Sequence, residues 1–453
     1  MTLPFQAWLD AGRRAAASLA SATAALDPQR RSLLLTGAVL AASLAFATPA
    51  VLAQTVVGEH WVATWGAAPG APPLPANTLM LANQTLRLVV HTSTGGNRVR
   101  IRLSNEMGST RLVVGAAHIA VRGSGAAIAT GSDCVLTFGG NHSVAIAPGA
   151  LVLSDPVELN VPALSDLAIS LYLPIKSAAT TIHDVASQAS YVSRPGNFAR
   201  APTLPIDRTI LAWPFLAAVE VDNSGEVIAT LGDSITDGDR STPGTNNRWP
   251  DWLARRLQNV RDPVPGKSGR LGVVNRGISG NRLAFIAPQG SLAGSNALER
   301  FDREVQTTAG VKHMTVMLGI DDIGSSPNDN PIGADALIAG YRHLIARAHE
   351  KGIAIYGATL TPFEGAFYYS PQKDAVRQAV NLWILSNDEF DGVIDFDAVL
   401  RDPAHSGRLL PAYDSGDHLH PNDLGYQAMG NAVPLELFRS LATTNVRQPA
   451  TAR

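Results

Sequence analysis

Cysteine is almost missing from this 453-residue chain, where Cys134 stands alone. A single thiol excludes an internal disulfide and any zinc site built on cysteines. An excess of one charge is missing too. Thirty-six Lys and Arg face 38 Asp and Glu, a formal charge of −2, and no dense Lys/Arg run occurs. Nothing therefore favours a polyanion, and nucleic acid is not an expected partner. Neither a Walker A sequence nor a Gly-x-Gly-x-x-Gly fingerprint is present, which argues against nucleotide chemistry. The Gly-x-Ser-x-Gly elbow of α/β-hydrolases is also absent. What is present is 45% apolar and 16% charged residues, enough chain for two or three domains with cores of their own.

The first 53 residues differ from the rest. Arg30-Arg31 precedes the stretch Ser32 to Ala53, which carries no charge and is rich in Leu and Ala. Pro49 interrupts it, and Val51-Leu52-Ala53 puts small residues at the −3 and −1 positions of a cleavage site before Gln54. The pattern resembles a twin-arginine (Tat-like) export signal. Residues 1–53 are therefore expected to be a signal peptide, giving a periplasmic or extracellular protein with no stable membrane span after cleavage. An uncleaved anchor is the competing reading.

Residues 54–222 read with a period of two. Thr85 to Val90 and Arg98 to Leu103 alternate polar and apolar side chains, as half-buried antiparallel strands do. Further strands are expected at 113–121, 134–138, 143–146, 157–161 and 167–173, separated by turns such as Thr94-Gly95-Gly96-Asn97. Short strands at this spacing predict an all-β sandwich or jelly-roll domain. Structural support is its simplest role; glycan binding and forming one wall of a site are the others.

Residues 223–445 change to strand–helix alternation, with 446–453 a flexible tail. Strands are expected at 227–231, 273–274, 315–318, 353–358 and 393–396, and helices at 250–257, 337–348, 375–385 and 421–438. The pattern predicts an α/β domain with a parallel sheet flanked by helices on both faces. Such sheets bind ligands beyond the C-terminal ends of their strands. The polar residues that stand out do follow strands.

The first group is Gly232-Asp233-Ser234-Ile235-Thr236-Asp237-Gly238. A serine hydroxyl attacks poorly unless a base takes its proton. Asp417-His418-Leu419-His420-Pro421 offers that base. An Asp three residues before a His can fold its carboxylate back onto Nδ1 and leave Nε2 facing the serine. His418 is expected to point elsewhere. A metal reading of Asp414, Asp417, His418 and His420 is the weaker alternative. The other nine histidines, His183 among them, lack this spacing and read as structural.

With these blocks in this order, residues 225–440 resemble the SGNH/GDSL hydrolase family, and the preceding β-domain resembles that of an exported bacterial esterase subgroup. The resemblance implies a flavodoxin-like SGNH hydrolase domain and a serine carboxylesterase acting on short-chain acyl or aryl esters. Ser234 would be the nucleophile, His420 the base and Asp417 the orienting acid, with no cofactor and no metal. The block Asn275 to Asn281 implies a second oxyanion donor, the Gly280 N–H, beside that of Ser234. The third block departs from the family's Gly-x-Asn-Asp: here it is Gly319-Ile320-Asp321-Asp322. An ionised Asp321 would repel the oxyanion, whereas a protonated one could donate to it. Asn281, Trp249 and Phe363 are the candidate substrate-binding residues, although Trp249 reads first as a buried helix start. The expected partner is a small-molecule or glycan-linked ester. A carbohydrate O-acetylesterase and a silent glycan-binding pseudo-hydrolase are the competing functions.

Overall fold

The computed structural model describes residues 60–259, 271–285, 287, 291–386 and 388–438. The expected signal peptide and tail lie outside these residues. No helix among them is long and apolar enough to cross a membrane.

The alternating segments pair into two antiparallel sheets. One joins Trp61–Gly66, Leu216–Asp222, Gly96–Ser104 and Val157–Val161, with Leu151–Leu153 also on Gly96–Ser104. The other orders six strands as Ile206–Ile210, Ser190–Pro195, Gln84–His91, Asp166–Leu173, Ala116–Val121 and Cys134–Leu136. Their apolar faces share one core that includes Leu86, Leu88, Val90, Val99, Ile101 and Leu103, all at 0% exposure. The predicted strand 113–121 is two strands, Leu112–Val114 and Ala116–Val121, separated at Gly115.

The second half is a parallel sheet of five strands: β1 (Val227–Gly232), β2 (Gly272–Gly277), β3 (Val311–Met317), β4 (Ala354–Ala358) and β5 (Gly392–Ile394). Their spatial order is β2-β1-β3-β4-β5, the flavodoxin-like doubly wound order. The connecting helices are α1 (Ser234–Asp237), α2 (Trp249–Asn259), α3 (Ala297–Arg300), α4 (Ile320–Ser325), α5 (Ala334–Glu350), α6 (Pro371–Ser386), α7 (Phe396–Leu400) and α8 (Asp423–Ala432). Most elements run a few residues longer than the sequence reading, β3 starting at Val311 and α6 at Pro371, while two stop short for a local reason. Phe396 belongs to α7, capped by the Asp395 carboxylate accepting from Ala398 N–H, so β5 stops at Ile394. The closing helix ends at Ala432, because Pro434 cannot continue it and a separate short turn of helix follows at Leu435–Phe438.

Register decides where the site forms. Gly232 pairs with Gly277 on β2 and with Met317 on β3. The loops beginning at Asp233, Ile278 and Leu318 therefore leave the sheet at one level, side by side. The outer side of the edge strand β2 is covered by the antiparallel region. Val273 N–H donates to Ser93 Oγ at 2.9 Å, and the buried Arg276 guanidinium donates to Ala67 O at 2.9 Å. An uncovered edge would offer its N–H groups to another chain.

Candidate active site

Beyond β1 the chain turns sharply into α1. The Asp233 carboxylate accepts from Ile235 N–H at 3.0 Å and caps the helix, and Gly238 closes it in the left-handed region at φ 95°. This places Ser234 at the first helical position, 5% exposed. Gly277, at the end of β2, needs to be glycine because a Cβ there would lie 2.3 Å from Asp237 N.

His420 arrives from the loop before α8. His420 Nε2 lies 2.8 Å from Ser234 Oγ, and its Nδ1 lies 2.8 Å from Asp417 Oδ2. Asp417 Oδ1 also accepts the backbone N–H groups of Leu419 and His420, at 3.0 and 2.8 Å. A carboxylate folded onto its own turn in this way cannot swing off the ring without breaking several bonds. Arg240 Nε donates to Asp417 Oδ2 at 3.0 Å from the solvent side. Burial alone would raise the Asp417 pKa. The hydrogen bond from the His420 ring, the His420 N–H, the His420 charge and the Leu419 N–H outweigh it and hold the carboxyl well below the usual range. His418 turns away at φ 63° and pairs with Asp414, Nδ1 to Oδ2 at 2.6 Å. The four residues of the metal reading thus divide into two separate His–Asp pairs. Among the described residues no group of three or more His, Cys, Asp or Glu could hold a metal ion.

The neighbouring loops present N–H groups and carboxyls. Gly280 sits in the left-handed region at φ 75°. The backbone N–H groups of Ser234 and Gly280 donate to nothing among the described residues. Asp322 accepts the N–H groups of Leu283, Ala284 and Phe285 at 2.8, 3.2 and 3.2 Å, which ties the loop after β2 to the start of α4. Asp321, one residue earlier, is half-buried, and its Oδ2 is buried without a hydrogen-bond partner. Loss of solvent and the charge of Asp322 push its carboxyl up to about 7, against the opposing pull of His420 and Arg282. Its neutral, proton-donating form therefore persists to higher pH than that of a free carboxyl.

The three residues proposed to line a pocket have other positions. Trp249 is 1% exposed and packs against Phe396 with ring centroids 5.3 Å apart. Phe363 is 0% exposed, between Tyr368 and Tyr369. Both are core residues, because large aromatic rings at a sheet end gain most by packing. The Asn281 amide donates to Ala293 O at 2.6 Å and Ser295 O at 2.7 Å, holding a neighbouring loop. An open cavity of about 660 Å³ lies instead beside α4, lined by Arg282, Phe285, Asp322, Ser325 and Ile332 among others. Sequence reasoning also passed over Arg240 and the pair His183–Asp237, while Tyr368 belongs to the polar–aromatic loop 363–369 that the sequence offers as a substrate wall. Tyr368 lies on Gly324 of α4, with ring carbons 2.7 Å from where a Cβ would be. Its hydroxyl is buried without a partner.

Residues 230–428 match the family model described as the GDSL-like Lipase/Acylhydrolase family. No curated protein matches the chain. Among solved structures, an acetylxylan esterase from Geobacillus stearothermophilus is 23% identical, with 48% of this chain and 96% of that one covered and a TM-score of 0.35. A GDSL-like lipase from Bacteroides thetaiotaomicron VPI-5482 is 17% identical, with 47% and 87% covered and a TM-score of 0.34. Residues 230–428, the part that carries Ser234, Asp417 and His420, therefore form a GDSL-like lipase/acylhydrolase domain.

Proposed function

We propose that the chain is an exported serine carboxylesterase acting on short-chain acyl or aryl esters. One observation carries the reading: an unbroken hydrogen-bonded relay from the Asp417 carboxylate through the His420 ring to Ser234 Oγ, with both links at 2.8 Å. His420 takes the serine proton as Oγ attacks the ester carbonyl. Asp417 fixes the ring with Nδ1 protonated and stabilises the imidazolium that forms. The carbonyl oxygen becomes an oxyanion, to which the N–H groups of Ser234 and Gly280 donate in this reading. His420 then returns its proton to the leaving alkoxide, and the alcohol departs. Water, deprotonated by the same imidazole, attacks the acyl-enzyme, and collapse of the second tetrahedral intermediate returns the proton to Ser234 and releases the acid.

Asp321 stands where the family places an amide donor. As a neutral acid it can give an O–H to the oxyanion; as an anion it opposes the charge that forms there. We assign it as the group that weakens the hole as pH rises through about 7.

Fluorophosphonate labelling tests the nucleophile. Stoichiometric modification at Ser234, abolished in His420→Ala, is the expected result. A wild-type protein that resists labelling while folded overturns the reading. Turnover of aryl esters of increasing acyl length, set against acetylated xylan, then defines the substrate.

A further inference from the structure

His183 ends the short strand Ile182–His183 of the antiparallel region, where it pairs with Trp213, and it is 4% exposed. Its Nδ1 lies 2.8 Å from Ala68 O. Its Nε2 lies 3.0 Å from Asp237 Oδ1 and 3.3 Å from Val185 O. Every one of these partners accepts. A carbonyl has no proton to give, so both ring nitrogens are best served by carrying one. The ring is then an imidazolium, and the buried Asp237 carboxylate is its counter-charge. Loss of solvent disfavours that charge, but Asp237, Ala68 O and Asp184 outweigh it, and the His183 pKa is raised.

Asp237 is the last residue of α1, the helix that Ser234 begins. Its Oδ2 accepts the N–H of Ser279 at 3.0 Å, immediately before Gly280. Its backbone carbonyl accepts from Arg248 Nε at 2.7 Å, and Arg248 also donates to Ala186 O in the antiparallel region. One carboxylate therefore joins three parts: a cation from the antiparallel region, the helix bearing the serine, and the turn bearing Gly280. Gly280 has no side chain to anchor it, so the orientation of its N–H depends on how the residue before it is held.

We infer that His183 is a positioning residue of the active site, through which the antiparallel region holds Asp237, and through Asp237 the Ser279–Gly280 turn, in the orientation that the oxyanion requires. The inference rests on the esterase reading above. Without the imidazolium, Asp237 is a buried carboxylate with a single N–H partner, and the hold on Ser279 N–H slackens, leaving the turn the Ser279 Oγ bond to Asp239 at 3.3 Å and the backbone bonds of Ile278 and Asn281. Displacement of such a group by about 1 Å costs up to about 100-fold in rate. The loss falls on kcat and not on KM, because the oxyanion exists only after attack.

The test uses the full-length chain with His183→Ala, Asp237→Asn and the double variant, assayed on p-nitrophenyl acetate, with rates taken per fluorophosphonate-titrated site. The expected result is a fall in kcat of about 10- to 100-fold with KM within about two-fold, and a double variant no worse than the poorer single. A purely structural histidine would lower the number of titratable sites and leave kcat per site unchanged. That outcome overturns the inference, as do losses that multiply in the double variant. Asp237→Asn is isosteric and keeps the test alive if His183→Ala does not fold. If the wild type is not labelled at all, the esterase reading falls by itself. The amide NMR signal of Gly280 then still decides the link, and no change in its position in the variants overturns it.

Discussion

In the antiparallel region the buried Glu220 carboxylate is met by Arg100 at 2.6 Å and Arg102 at 3.0 Å. The buried Arg87 there donates to Ser170, Ala126 O and Ala201 O at 2.9, 2.7 and 2.7 Å. The loops after the parallel strands look different. Asp233 Oδ2 after β1, Asn281 Oδ1 after β2, Asp321 Oδ2 after β3 and Tyr368 Oη after β4 are all buried without partners. Among the described residues, the antiparallel region contributes Arg102 Nε alone to this set. Each such atom forfeits solvation of about 1–3 kcal/mol. A fold leaves polar groups in that state chiefly where something else is to meet them. Spare polar atoms thus follow four consecutive strands, although the same half also carries them away from this edge, on Trp252, Arg255, Arg276, Arg300 and Thr315.

That contrast can be broken in four places. The largest effect is expected from His420→Ala, which removes the link to Ser234 and should lower turnover by about 10⁴-fold or more while the thermal midpoint moves little. A small loss would mean that another group serves as base. Asp321→Asn comes next. Restoring an amide donor should raise kcat by about 10²–10³-fold above pH 7, and by less below it. The sign for stability follows from the carboxyl pKa lying above its unfolded value, at about 7. The protonated form is favoured in the fold, so stability is greatest below the ordinary carboxylate range and is lost as pH rises towards 7. The midpoint of Asp321→Asn should therefore pull ahead of the wild type over that interval, by thermal melts from pH 4 to 8. A constant difference would place Asp321 in solvent.

Glu220→Gln is the matching change in the antiparallel region. It leaves two arginines short of their counter-charge and should cost about 2 kcal/mol in denaturant melts, with kcat unaltered. A selective loss of kcat would erase the division between the two regions. The smallest effect belongs to Tyr368→Phe. Removing a buried hydroxyl that has no partner should stabilise by about 1 kcal/mol. A fall in the melting point would show that the hydroxyl is bonded after all.

Much of this architecture was legible in the chain because its signals are local. Alternation at Arg98 to Leu103 is a strand's own property, and Gly232-Asp233-Ser234 sits where a strand must turn into a helix. Asp417 and His420 share one turn, so their spacing alone brings carboxylate and ring together. The Asp321 departure was readable for the same reason. What stayed hidden is long-range. His183 and Asp237 lie 54 residues apart, and no spacing rule joins a short antiparallel strand to the end of a four-residue helix. Trp249 and Phe363 were ambiguous because an aromatic ring near a sheet end looks alike in sequence whether it faces ligand or core.

The turn that holds Asp417 and His420 together has a bearing on how this chain could be divided. A break in the polypeptide anywhere between Ser234 and Leu409 would send the serine one way and the intact Asp417–His420 pair the other. Reassociation would have to restore the bond between Oγ and Nε2 and, for a break after Arg240, that between Arg240 and Asp417.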